Sequence, residues 1–129
     1  MKTLNYSLIH EDCHAAGMAA GIKVNPTPMI VGEAKSLLSN EIDYTKKTYY
    51  VDEGPCGYAW VNIYPGNSRL ANQYKKLGIA RASYNGGVEY WISEFGQGVD
   101  RKEAYASAYA AKLRELTGEE RIYAGSRLD

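Results

Sequence analysis

The residue pattern most suggestive of chemistry comes early, where His10-Glu11-Asp12-Cys13-His14 satisfies H-E-x-x-H. On a helix the two imidazoles fall one turn apart on one face, where both can reach a zinc ion while Glu11 acts as base on a metal-bound water. Glu33 is a conceivable third ligand. The longer H-E-x-x-H-x-x-G-x-x-H form is met at Gly17, but Ala20 stands where its third histidine belongs. The competing reading is a solvent-facing turn of polar residues on an amphipathic helix. His10 and His14 are the chain's two histidines. Cys13, the nearest nucleophile, lies beside them rather than across a site, so neither a Ser-His-Asp nor a Cys-His-Asn arrangement can be built.

Two helix starts have the chemistry of an anion site. At Pro65-Gly66-Asn67-Ser68-Arg69, unpaired amides and the positive end of a helix dipole favour phosphate, and Arg69 adds charge. The same holds at Gly96-Gln97-Gly98, with Arg101 next to it and Arg127 expected nearby. Neither stretch matches the phosphate loop of nucleotide triphosphatases or a dinucleotide fingerprint, and no cofactor is implied. Ordinary turn and cap chemistry explains both equally well.

A third constellation is aromatic. Tyr58, Trp60, Asn62 and Tyr64 alternate with Ala59, Val61 and Ile63, the pattern of a strand with an aliphatic inner row and an aromatic outer row. Either Tyr90 or Trp91 joins the outer row from a neighbouring strand. Stacked aromatics on central strands are how RNA-recognition domains hold bases. Here the basic-Gly-aromatic signature of those domains is missing. Fifteen Lys plus Arg against fifteen Asp plus Glu leave no net charge to attract a polynucleotide. Burial of this face beneath the amino-terminal helix or a second subunit is the alternative, so a homo-oligomer is expected.

These groups must be positioned by one domain, since 129 residues support a single core. Twelve tyrosines beside two tryptophans and one phenylalanine mean that most aromatic mass carries a hydroxyl needing a partner or water. Charge is spread evenly, with five bases to seven acids in residues 1–60 and ten to eight in residues 61–129. No run approaches the roughly 18 apolar residues of a membrane span, and Met1-Lys2-Thr3-Leu4-Asn5 lacks a signal-peptide layout. An intracellular setting is expected, in which Cys13 and Cys56 stay free thiols.

Helical spacing of Leu8, Ala15, Met18, Ala19 and Ile22 predicts a helix from about Ser7 to Gly21, stopped by Pro26 and Pro28. Met29-Ile30-Val31 and Thr48-Tyr49-Tyr50-Val51 read as short strands around a polar loop from Glu33 to Lys47, with the second an edge strand. From Cys56 the order becomes regular. The strand of Trp60 is followed by a helix capped at Asn67 or Ser68, with Leu70, Ala71, Tyr74 and Leu77 on one face and Gly78 at its end. Ile79 to Tyr84 and Val88 to Ile92 form a hairpin around Asn85-Gly86. Asp100 and Glu103 suggest a capping box for a long helix to Leu116, whose Ala104, Tyr105, Ala108, Tyr109, Leu113 and Leu116 face the core. Tyr105 and Tyr109 are expected to keep their hydroxyls at the rim, and Cys56 to be a small buried hydrophobe. Arg121 to Ala124 closes the sheet.

The order is β-α-β-β-α-β from about residue 56, an α+β split βαβ sandwich of ferredoxin-like type with an extra amino-terminal helix and short strand. Strand order 4-1-3-2 places the strand of Trp60 beside that of Trp91. The loop Tyr64–Ser68 should then share one sheet edge with Asn85-Gly86-Gly87, and Phe95–Gly98 should share the opposite edge with the tail Gly125–Asp129.

The segment Cys56-Gly57-Tyr58-Ala59-Trp60-Val61-Asn62-Ile63, then Pro65-Gly66-Asn67-Ser68-Arg69, resembles a widespread family of small proteins of tailed bacteriophages. The likeness resumes at Tyr84-Asn85-Gly86-Gly87, Tyr90-Trp91-Ile92, Gln97 and Lys102-Glu103-Ala104-Tyr105-Ala106, and ends with Tyr123-Ala124-Gly125-Ser126-Arg127-Leu128-Asp129. Ala15–Ala20 and Pro26–Val31 are also similar, so the resemblance covers most of the chain outside residues 33–47. It implies a phage origin and a host-cytoplasmic setting, and brings no activity and no role for H-E-x-x-H. The combined expectation is a non-enzymatic accessory protein that binds a small nucleotide-type molecule, such as a host immune signal. Tyr58, Trp60, Asn62 and Trp91 would stack on or touch it, with Asn67, Ser68, Arg69, Gln97, Arg101 and Arg127 at the helix starts. A host-protein inhibitor using the same face, or a zinc hydrolase with His10, Glu11 and His14, are the alternatives.

Overall fold

The structure is a computed structural model that describes residues 4–25, 29–32, 48–51, 55–84, 86–96 and 98–129. It is a mixed α+β arrangement of three helices, α1 (Tyr6–Lys23), α2 (Arg69–Lys76) and α3 (Val99–Thr117), with two sheets. Strands β1 (Met29–Gly32) and β2 (Thr48–Val51) pair antiparallel as a two-stranded sheet of their own. The segment around Tyr49 is therefore not an edge strand of the main sheet. The larger sheet is four-stranded and antiparallel, in the order β4 (Arg81–Ala82), β5 (Val88–Trp91), β3 (Gly57–Ile63), β6 (Ile122–Leu128).

Alternation in β3 does what period-two patterning requires. Ala59, Val61 and Ile63 are fully buried and face the helices, joined by Val88, Ile92 and Ile122. Trp60 lies opposite Trp91 in the antiparallel register, so the two indoles share the outer face while Tyr90, opposite Val61, points to the helices. The two expected sheet ends also come together. Gly66 packs on Gly87 at one end, and at the other Cys56 bridges Gly98 and the Asp129 amide donates to the Cys56 carbonyl at 3.1 Å.

Beta6 departs from expectation by running on through Gly125, Ser126 and Arg127 to Leu128, paired with β3 along its whole length. Its composition reads as a turn, but Gly125 stands opposite Trp60, where a Cβ would lie 2.7 Å from the indole. The missing side chain lets the ring lie against the strand. Conversely, β4 is two residues long rather than spanning Ile79 to Tyr84. Asn85 lies outside the described residues.

Ser68 is the α2 cap, its Oγ accepting from the Ala71 amide at 3.1 Å. Leu77, expected on the buried face, is exposed at the helix end. In α3 the capping box is not formed, because Gly98 is the N-cap with no side-chain bond and Glu103 instead accepts from Ser126 Oγ at 3.0 Å.

The largest correction concerns α1. Leu8 and Ile22 are exposed, and the buried stripe is Ile9, Cys13, Gly17 and Gly21. These residues recur every fourth position, and the two glycines allow near contact with α3 and the turn before it. An added Cβ at Gly17 would lie 2.7 Å from the Tyr105 ring, and one at Gly21 2.4 Å from Phe95. Helix α1 therefore packs against α3 on the helical side of the sheet. It does not cover the aromatic outer face.

Candidate ligand-binding site

On that outer face, β3 contributes Tyr58, Trp60 and Asn62, β5 contributes Glu89 and Trp91, and β6 contributes Tyr123, Gly125 and Arg127. The Trp60 and Trp91 rings lie 4.9 Å apart at 34°, and Tyr58 meets Trp91 edge-on at 6.0 Å. This is a continuous aromatic strip across two central strands. Tyr58 is 38% and Tyr123 50% exposed, the tryptophans are half-buried, and none of the three helices lies over the strip.

Cations frame the rings. Arg81 Cζ sits 5.8 Å from the Trp91 ring centroid and Arg127 Cζ 5.4 Å from that of Tyr58, both within cation–π range. Arg121 lies 5.5 Å from the Tyr64 ring at the other end of β3. Arg81 also pairs with Glu89 at 3.5 Å. Because β4 is short, a groove of about 440 Å³ opens beside Trp91, between the Gly78–Arg81 stretch and Glu89, Tyr90 and Trp91. The Trp91 Nε1 donor is buried without an acceptor among the described residues.

Of the residues expected to form a ligand site, the structure brings together Tyr58, Trp60, Asn62, Trp91 and Arg127. Asn67, Ser68 and Arg69 lie at the far end of β3, where Ser68 is used as a cap and the Asn67 carbonyl accepts from Asn72. Arg69 lines a separate hollow with Leu4, Tyr6 and Gln73. Arg101 is on the helical side, its Nη1 donating to the Gly21 and Ile22 carbonyls at 2.8 and 3.2 Å, where it satisfies the end of α1. Arg127 sits on β6 beside Tyr58, its register partner, and its carbonyl and the Val99 side chain at the start of α3 both border the space beside Gly57, so it lies near that helix start. Gln97 lies outside the described residues.

The H-E-x-x-H histidines are half-buried, each with its Nδ1 turned to a phenol of α3. His10 Nδ1 is hydrogen-bonded to the Tyr109 hydroxyl at 2.6 Å, and that hydroxyl to Tyr74 at 2.9 Å. His14 Nδ1 is likewise bonded to Tyr105 at 2.6 Å, and Tyr105 to Tyr90 at 2.9 Å. Two parallel His–Tyr–Tyr chains thus run from α1 through α3 to α2 and β5. Hydroxyls expected at the rim are instead inside, because the imidazoles satisfy them there. Burial pushes the Tyr90 phenol up to about 12 and moves Tyr74, Tyr105 and Tyr109 upward too. Burial, then the charge of His14, lowers His10 below its ordinary value of 6.5, with Glu94 and Glu11 opposing. Burial also raises the Cys13 thiol to about 12, which leaves it a poor nucleophile. Among the described residues no group of three or more His, Cys, Asp or Glu could hold a metal ion, and Glu33 lies outside them.

Sequence reasoning missed Arg81, over the Trp91 ring, and a residue at the edge of the strip. Lys102, on the first turn of α3, is 6% exposed and donates from Nζ to the Gly57 carbonyl at 3.3 Å. Its Nζ lies 5.8 Å from the Tyr58 ring centroid. The signal was the spacing itself: Lys102 falls three residues before Tyr105 and seven before Tyr109, on the buried face of α3. Cys56, expected to be a buried hydrophobe, is half-buried and lines a small cavity with Gly57, Tyr58, Lys102 and Asp129.

No protein-family model matches this chain. No curated protein and no solved structure matches it either.

Proposed function

We propose that this protein acts by binding, and that its outer sheet face holds a small nucleotide-type ligand. The observation that carries the reading is the Tyr58–Trp60–Trp91 strip, over which none of the three helices lies, framed by Arg81 and Arg127. A planar base stacks on an indole face whatever its hydrogen-bonding edge, and the flanking guanidinium groups favour an anionic ligand. The groove beside Trp91 gives such a ligand depth at one end. We read the fold as a ferredoxin-like sandwich, supported by the strand order β4-β5-β3-β6 and its antiparallel pairs. The resemblance to small tailed-phage proteins supports a setting in the infected cell, where a nucleotide binder can sequester an immune signal.

Trp60 and Trp91 are the chain's only tryptophans, so tryptophan emission, excited beyond the tyrosine absorption band, reports on this face. Titration with mononucleotides, cyclic dinucleotides and ADP-ribose should quench or shift the emission saturably. No spectral change and no thermal stabilisation across that panel would overturn the reading. Capture of a host protein that is lost on Trp91→Ala would then favour the inhibitor alternative, for which the half-exposed Tyr123 and Tyr58 are the supporting surface.

A further inference from the structure

We infer that Lys102, with Arg127 near the same Tyr58 ring, forms a seat for the phosphate group of the ligand. This rests on the reading of the outer face as a nucleotide platform and fixes which end of the ligand lies where. Lys102 is the buried charge in the core, yet among the described residues its ammonium has a single carbonyl acceptor and no carboxylate within ion-pair distance. An ammonium has three donors, and a buried one is costly unless its charge is matched. The ammonium borders a cavity of about 130 Å³ lined by Cys56, Gly57, Tyr58, Lys102 and Asp129. Arg127 also stands beside Tyr58, its Cζ 5.4 Å from the ring centroid, against 5.8 Å for Lys102 Nζ.

A phosphate monoester meets these demands better than a neutral group, since it brings between one and two negative charges and several acceptor oxygens. The geometry suits a nucleoside monophosphate. Tyr58 and Trp60 lie two residues apart on one strand face, a separation of about 7 Å, so a base on the Trp60–Trp91 pair leaves its phosphate at Tyr58.

The test uses the full chain with inorganic phosphate in thermal shift at constant ionic strength, and AMP against adenosine in tryptophan fluorescence. Wild type is compared with Lys102→Met, which removes the charge, Lys102→Arg, which keeps it, and Arg127→Gln. Millimolar phosphate should raise the melting temperature of wild type and Lys102→Arg but not Lys102→Met. AMP should bind about tenfold or more tightly than adenosine, a preference lost in Lys102→Met and reduced in Arg127→Gln. No phosphate stabilisation, or one unchanged in Lys102→Met, overturns the seat. Equal binding of AMP and adenosine by wild type also overturns it while leaving the platform standing. A Lys102-dependent phosphate shift without any nucleoside or nucleotide signal supports the seat as a site for free phosphate and removes the platform.

Discussion

Replacing Gly17 by alanine should destabilise the protein, although alanine is the better helix former. In a solvent-facing stretch of α1 the exchange would stabilise by about 0.8–1 kcal/mol. At Gly17, however, the new Cβ would meet the Tyr105 Cδ2, Cε2 and Cγ atoms at 2.7, 2.8 and 2.9 Å. The ring cannot swing aside, because Tyr105 is fully buried and its hydroxyl is held between His14 and Tyr90 at 2.6 and 2.9 Å. Overpacking of this kind costs about 1–3 kcal/mol, and with three close contacts the upper end applies, so the net loss is about 2 kcal/mol. Urea unfolding followed by far-ultraviolet circular dichroism measures this directly, with an unchanged m-value expected. A midpoint that rises would refute the seating of α1 on Tyr105. It would also remove the reason for regarding the outer sheet face as uncovered by that helix.

Other expectations follow from the same packing. Tyr109→Phe removes a fully buried hydroxyl bonded to both His10 and Tyr74, and should cost about 2–3 kcal/mol in chemical denaturation, where an exposed phenol would cost almost nothing. The native state holds His10 below its ordinary value of 6.5, so on acidification the unfolded chain takes up that proton first. Stability contributed by neutral His10 is complete above that value and declines as pH falls below it toward the lowered native value. His10→Asn should flatten this part of a denaturation-midpoint profile, and an unchanged slope would assign the proton elsewhere.

The sheet was legible wherever side-chain alternation was strong. Ala59, Val61 and Ile63 announced the inner row of β3, and the expected strand order placed the strand of Trp60 beside that of Trp91, while the choice of Tyr90 or Trp91 for the outer face was left to the register. The α1 face was not legible, because Gly17, Gly21 and Cys13 contribute by being small, and apolar periodicity weighs large residues. Beta6 was cut short for a related reason. Gly125, Ser126 and Arg127 have turn composition, and only the indole across the sheet explains a glycine there. The His–Tyr chains join residues 99 and 91 positions apart, so no local window contains them. H-E-x-x-H correctly singled out two imidazoles on one helix face but misread what they meet, which is a pair of phenols. In the candidate site, the aromatic strip was visible as a row and Arg127 was among the expected residues, whereas Arg81 and Lys102 joined it only through tertiary placement.

The central claim, that the Tyr58–Trp60–Trp91 strip is a ligand platform, is tested most directly by calorimetric titration of AMP into wild type and Trp91→Ala. Stacking of a base on an aromatic ring is worth about 1–3 kcal/mol, so the substitution should weaken binding by about 5- to 150-fold while the fold, read by circular dichroism, is retained. Equal affinity of the two proteins, or no heat of binding with wild type, would contradict it.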